Sequence, residues 1–85
     1  MPFYTYILKS KLNGQFYIGQ TQDVDKRLDR HNAGSVPSTK RYRPWVLIFY
    51  KQFGNRNDAI KFENKLKKAK SHQYLEEYVV NASRL

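Results

Sequence analysis

The chain has no cysteine, and in 85 residues that absence limits the possible folds more than any other feature. Disulfides and thiolate-bound metal are both excluded as staples. A chain this short forms one domain, over residues 1–85, and buries only roughly 60–65% of the surface its unfolded state exposes. Packing must hold it, so the core has to come from large side chains. Seven Tyr, five Phe and one Trp supply them. A buried Tyr needs a partner for its hydroxyl, so some of these rings are candidates to line a site as well as fill a core. The lack of cysteine also fits a reducing compartment. Met1-Pro2-Phe3-Tyr4-Thr5 is no signal peptide, and no apolar run reaches the ~18–20 residues that span a bilayer. A cytoplasmic location is expected.

Hydrophobic periodicity divides the chain into six elements. Phe3 to Leu8 alternates with a period of two, with Tyr4, Tyr6 and Leu8 on one face and Phe3, Thr5 and Ile7 on the other. Gln15 to Gln20 reads as a second strand, and Asn13-Gly14 as a hairpin signal between them. A tight two-residue turn there sets Tyr17 opposite Ser10, far from Tyr6. A longer loop over Ser10 to Gly14 sets Tyr17 roughly opposite Tyr6, and the sequence leaves both registers open. Thr21 or Asp23 can cap a helix running to about Asn32, with Gly34 placed to end it. Val24, Leu28 and His31 share a face of that helix, and Arg27 lies one turn before His31. Residues 35–44 read as a basic loop, and Trp45 to Phe53 as a third strand, expected to be central and buried. Asn55 or Asn57 can cap a second helix, whose core stripe is Ala59, Phe62, Leu66 and Ala69, with Lys61, Lys65 and Lys68 facing away. A last helix covers Ser71 to Val80. The order strand, strand, helix, strand, helix, helix implies an α+β domain with helices packed on a small sheet.

Sixteen Lys and Arg against seven Asp and Glu give a net charge of +9, a field that attracts polyanions. Nucleic acid is the commonest such partner, and a generic basic surface is the plainer reading. Seven carboxylates are too few for the convergent set that a two-metal nuclease uses. Glu63 stands at the border of the buried stripe of a Lys-rich helix. It could be functional, or it could pair with Lys67 one turn on, a surface ion pair worth ~0.3–0.5 kcal/mol. Arg27 and His31 share the same spacing with potentially like charge. They either welcome the helix C-terminal dipole or serve a site.

Tyr4-Thr5-Tyr6-Ile7-Leu8, Tyr17-Ile18-Gly19-Gln20-Thr21, Lys26-Arg27-Leu28 and His31-Asn32 closely resemble the pattern of the GIY-YIG nuclease family. Thr39-Lys40 before Arg43-Pro44, the Ala59 to Glu63 helix and the closing Lys67-Lys68-Ala69-Lys70-Ser71 resemble its small stand-alone members. The resemblance implies a three-stranded sheet with flanking helices and a DNA endonuclease acting in repair or recombination. It further implies Tyr6, Tyr17, Arg27, His31 and Glu63 as the catalytic set, with Glu63 the sole protein ligand of one divalent ion, Mg²⁺ or Mn²⁺. Tyr17 is then the general base, Tyr6 its positioner, Arg27 a phosphate clamp and His31 a proton relay. Lys40, Arg41 and Arg43 are the expected contacts to the DNA backbone, with little sequence specificity. Gln20 stands where excision-repair relatives carry Lys, and Asn81 is the candidate for a late Asn that several relatives use. A non-catalytic nucleic-acid-binding module and an RNA-binding accessory protein are the competing readings.

Overall fold

The computed structural model describes residues 2–69 and 72–83. Three strands, β1 (Phe3–Ser10), β2 (Phe16–Thr21) and β3 (Trp45–Phe53), form one antiparallel sheet in the order β2-β1-β3. Three helices, α1 (Val24–Ala33), α2 (Arg56–Ala69) and α3 (His72–Ser83), and a 3₁₀ turn at Lys40–Tyr42 complete the expected β-β-α-β-α-α order. Ser71, where the last helix was expected to begin, and Lys70 lie outside the described residues. No helix among the described residues is long and apolar enough to cross a membrane.

The central strand is β1, not β3. Thr5, Tyr6, Ile7 and Leu8 are each no more than 1% exposed, because neighbours cover both edges and both faces of that strand. A long apolar run reports that faces are covered; it says nothing about position in the hydrogen-bonded ladder. At the edge, β3 exposes Tyr50, Lys51 and Gln52, and a charged side chain there discourages pairing with a further strand.

The hairpin adopts neither of the two anticipated registers. The Ser10 N–H donates to the Gln15 carbonyl at 2.8 Å, which closes a loop over residues 11–14 in which Gly14 takes φ +78°. Tyr6 therefore pairs with Gly19, and Tyr17 with Leu8. The two tyrosines are diagonal neighbours on one face rather than opposite one another. Side chains at that diagonal still reach each other, and the rings lie 6.3 Å apart.

The alternation along β1 sorts the core into two layers. Ile7 packs with Ile18, Leu66 and Leu75 under α2 and α3, and the Thr5 hydroxyl donates to the Ala59 carbonyl at 2.7 Å. Tyr6 and Leu8 pack with Trp45, Tyr17 and Leu28 under α1. Full burial of a side chain such as Leu66 contributes roughly 1.5–3 kcal/mol.

Capping fixes where the helices start. Of the two candidates for α1, Asp23 is the cap, its Oδ1 accepting the Lys26 N–H at 3.1 Å. The Thr21 hydroxyl accepts the Asp23 N–H one step earlier. Gly34, at φ +82°, ends the helix with its N–H on the Arg30 and His31 carbonyls, a left-handed stop open to glycine. Asn55 rather than Asn57 caps α2, accepting the Asp58 N–H at 2.9 Å.

Candidate active site

Tyr6 and Gly19 face each other across β1 and β2, and glycine is what lets the tyrosine ring lie there. A Cβ on Gly19 would sit 2.7 Å from the Tyr6 hydroxyl, 2.8 Å from its Cζ and 3.1 Å from a ring carbon of Tyr17. Any side chain at that position would displace both rings.

A continuous hydrogen-bond chain runs from the Tyr6 hydroxyl into α1 and beyond. Arg27 Nε lies 3.4 Å from the Tyr6 oxygen, Tyr6 3.1 Å from His31 Nε2, and His31 Nδ1 2.7 Å from Thr39 Oγ1. Thr39 Oγ1 in turn lies 3.3 Å from the Val36 carbonyl. With a neutral imidazole, one proton assignment makes every link. Arg27 donates to Tyr6, Tyr6 to Nε2, Nδ1–H to Thr39, and Thr39 to the carbonyl. His31 and Thr39 are 0% and 1% exposed, so each such group needs its partner.

Electrostatics agree with that assignment. Burial raises the Tyr6 phenol to about 12, against a lowering by its hydrogen bond to Arg27; the charges of Tyr17 and Glu63 add to the rise. Tyr6 thus keeps its proton. Burial, and then the Arg27 charge, lower His31 to about 4, so it is neutral at pH 7. The hydrogen bond to Tyr6 raises Arg27 further above its ordinary range, and Tyr17 contributes in the same direction. The Tyr17 ring stands edge-on to His31 with centroids 4.8 Å apart.

A pH dependence of stability follows from His31. Its folded value, about 4, lies below the ~6.5 of an unfolded histidine, so between those values the unfolded chain binds a proton that the folded chain does not. This contribution is whole above pH 6.5 and is lost as pH falls towards 4. Between pH 7 and pH 5 it should cost about 2 kcal/mol, seen as a lower urea midpoint. His31→Gln should flatten that dependence; an equal slope in both proteins would contradict the buried, neutral histidine.

Glu63 comes from the other layer. It lies one turn beyond Ala59 on α2, the helix that packs against both β1 and β2, and its carboxylate is only 15% exposed. Its charge is felt at the Tyr6 hydroxyl, and it accepts a hydrogen bond from Lys67 Nζ at 2.6 Å. The ion pair anticipated from the spacing is therefore formed. Among the described residues no three His, Cys, Asp or Glu gather into a metal-binding group. A single carboxylate does not fit a closed zinc centre. It does fit a hard cation such as Mg²⁺, which keeps several waters and binds through one or two carboxylates plus substrate phosphate.

The basic loop residues sit on the Thr39 side of His31. Lys40 and Arg41 are exposed in the 3₁₀ turn. Arg43 is engaged by the backbone, its guanidinium donating to the carbonyls of Lys40 and Asn32 at 3.0 and 3.4 Å. Asn81 lines a shallow depression with Glu76, Glu77 and Val80, none of them a candidate site residue.

Two residues acquire roles that the sequence pattern does not assign. Thr39 orients His31, and its carbonyl takes the Trp45 indole N–H at 2.9 Å. The Asn32 amide clasps the backbone of Trp45, accepting its N–H at 2.6 Å and donating to its carbonyl at 3.0 Å, which ties α1 to the start of β3. Both lie within tripeptides that carry the family resemblance. Periodicity is blind to them, because their partners are backbone groups and a side chain brought close by the tertiary fold.

The comparisons with known proteins point the same way. A family model described as the GIY-YIG catalytic domain matches residues 2–78. The UPF0213 protein YazA of Bacillus subtilis is 38% identical over 76 residues, covering 85% of this chain and 76% of YazA. A UPF0213 protein of Staphylococcus saprophyticus is 37% identical over 65 residues, covering 75% of this chain and 78% of its own length. The solution NMR structure of the UPF0213 protein BH0048 from Bacillus halodurans aligns with a TM-score of 0.60 at 32% identity, covering 94% of this chain and 84% of that one. With the sheet order, the paired tyrosines and the matched domain all in agreement, this chain belongs to the GIY-YIG catalytic-domain family.

Proposed function

We propose that this protein is an endonuclease that hydrolyses DNA phosphodiester bonds with one divalent ion, Mg²⁺ or Mn²⁺, held by Glu63. The observation that carries the reading is the hydrogen-bond chain through Tyr6. That chain fixes Arg27 beside the two tyrosines and keeps Tyr6 protonated, which divides the labour between them. Tyr17 stands outside the chain's Tyr6–His31–Thr39 links and is the general base towards a water. Tyr6 positions, since a phenol held near 12 gives up its proton too reluctantly to serve as base. Arg27 offers its remaining guanidinium donors to phosphate oxygens where charge develops. His31, neutral and anchored by Thr39, holds Tyr6 in place and is free to accept a proton through Nε2.

Bound to Glu63, the ion supplies Lewis-acid stabilisation of the phosphate and of the leaving oxygen. Lys67 already sets a cation on that carboxylate, which supports Glu63 as a cation-accepting group. The same contact favours a second reading, a nucleic-acid-binding module in which Glu63 serves only as half of a surface pair. Purified protein incubated with supercoiled plasmid, branched and single-stranded DNA, in Mg²⁺ or Mn²⁺, separates the two. Nicked or cut product is expected. DNA that is bound but never cut, on any substrate, would favour the module.

A further inference from the structure

At the far end of β2 a depression of about 380 Å³ opens, lined by Gln20, Lys26, Arg27, Arg30 and Arg56 together with the acid Asp23. Four cations from α1 and the start of α2 face one carboxylate. That carboxylate is already engaged as the helix cap by the Lys26 N–H. Among the described residues Lys26, Arg30 and Arg56 form no ion pair. Like charges gathered without counter-charge repel, so the depression is built for an anion that arrives from outside. Arg56 is not a loose surface group: its guanidinium lies over the Phe3 ring, 5.2 Å from the centroid. Arg27 belongs to both places, lining the depression while its Nε reaches the Tyr6 hydroxyl. The depression therefore begins where the candidate active site ends.

We infer that this depression holds a backbone phosphate of the nucleic acid next to the one being cut. The strand runs from Tyr17 across Gly19 and Gln20 to Arg30 and Arg56. The inference rests on the endonuclease reading and moves the main phosphate contact away from the loop at Lys40 and Arg41. Those residues lie on the Thr39 side of His31, and Arg43 beside them is engaged by backbone carbonyls. Neutral Gln20, where a lysine would add another cation, leaves room at the rim for the sugar and base to pass.

Fluorescence anisotropy of a labelled DNA duplex, with chelator present so that nothing is cut, tests this across a salt series. Arg30→Ala with Arg56→Ala should weaken binding about tenfold at low salt. It should also flatten the slope of log affinity against log salt by about 2, one per lost phosphate contact. Arg30→Lys with Arg56→Lys should restore the slope, which a merely structural role would not. Lys40→Ala with Arg41→Ala should shift affinity by less than about threefold. If Arg56→Ala does not fold, judged by circular dichroism, Arg30→Ala alone should flatten the slope by about 1. A wild-type slope in the depression variant, or the larger loss falling on Lys40 and Arg41, would overturn the subsite while leaving the nuclease reading intact. A wild-type protein that binds no DNA at any salt would overturn both.

Discussion

Glu63→Gln should abolish DNA cleavage, by on the order of 10³-fold or more, while duplex binding in chelator stays the same or tightens slightly. Glutamine keeps the length and hydrogen-bonding capacity of the side chain but removes the charge that holds a divalent ion. No second carboxylate gathers beside it among the described residues, so nothing is placed to compensate. Binding should not suffer, because a negative charge leaves a site that faces phosphates. Stability should change little, since the lost partner is Lys67, whose side chain is 52% exposed. A pair at that position contributes only a few tenths of a kcal/mol. Single-turnover cleavage and urea melts of the two proteins together check the expectation. Cleavage within a few-fold of wild type would remove Glu63 from the chemistry.

Tyr17→Phe should cost about 10²–10⁴-fold in rate, the usual range for loss of a general base, with the melt unchanged. Its hydroxyl forms no link in the Arg27–Tyr6–His31–Thr39 chain, so the architecture does not depend on it. Tyr6→Phe behaves differently. It leaves buried His31 Nε2 and the Arg27 Nε–H without their partner, so it should destabilise the fold by ~1–3 kcal/mol as well as slow the reaction. The contrast between rate loss alone and rate loss with destabilisation identifies which tyrosine is base and which is positioner. A Tyr17→Phe protein cutting at the wild-type rate would exchange the roles.

Much of this architecture is legible in the residues, and the gaps have physical causes. Alternation along Phe3 to Leu8 does sort the two faces of β1, and Asp23, Asn55 and Gly34 act at the helix ends by the chemistry their types announce. Register was not legible. It depended on a loop in which the Ser10 hydroxyl accepts the Leu12 and Asn13 N–H groups and donates to the Tyr42 carbonyl, a contact between residues far apart in the chain. Strand order escaped for a related reason: composition reports how well a strand's faces are covered, and both β1 and β3 are apolar. Within the candidate site, residue types and the resemblance together pick out Tyr6, Arg27 and His31. What they miss is the support: Thr39 behind the histidine, and the glycine that lets Tyr6 cross β2. The basic depression escaped because its cations come from two helices, brought together only when α1 and the start of α2 close over the end of β2.

The account stands most directly on metal-restored cleavage. Wild-type protein stripped of divalent ions by chelator, dialysed, and mixed with DNA should leave it intact. Adding Mg²⁺ or Mn²⁺ to the same tube should start phosphodiester cleavage, and adding it to Glu63→Gln should not. Cleavage at full rate in the stripped protein would contradict the single-ion site. No cleavage of plasmid, branched or single-stranded DNA with either ion would contradict the nuclease itself.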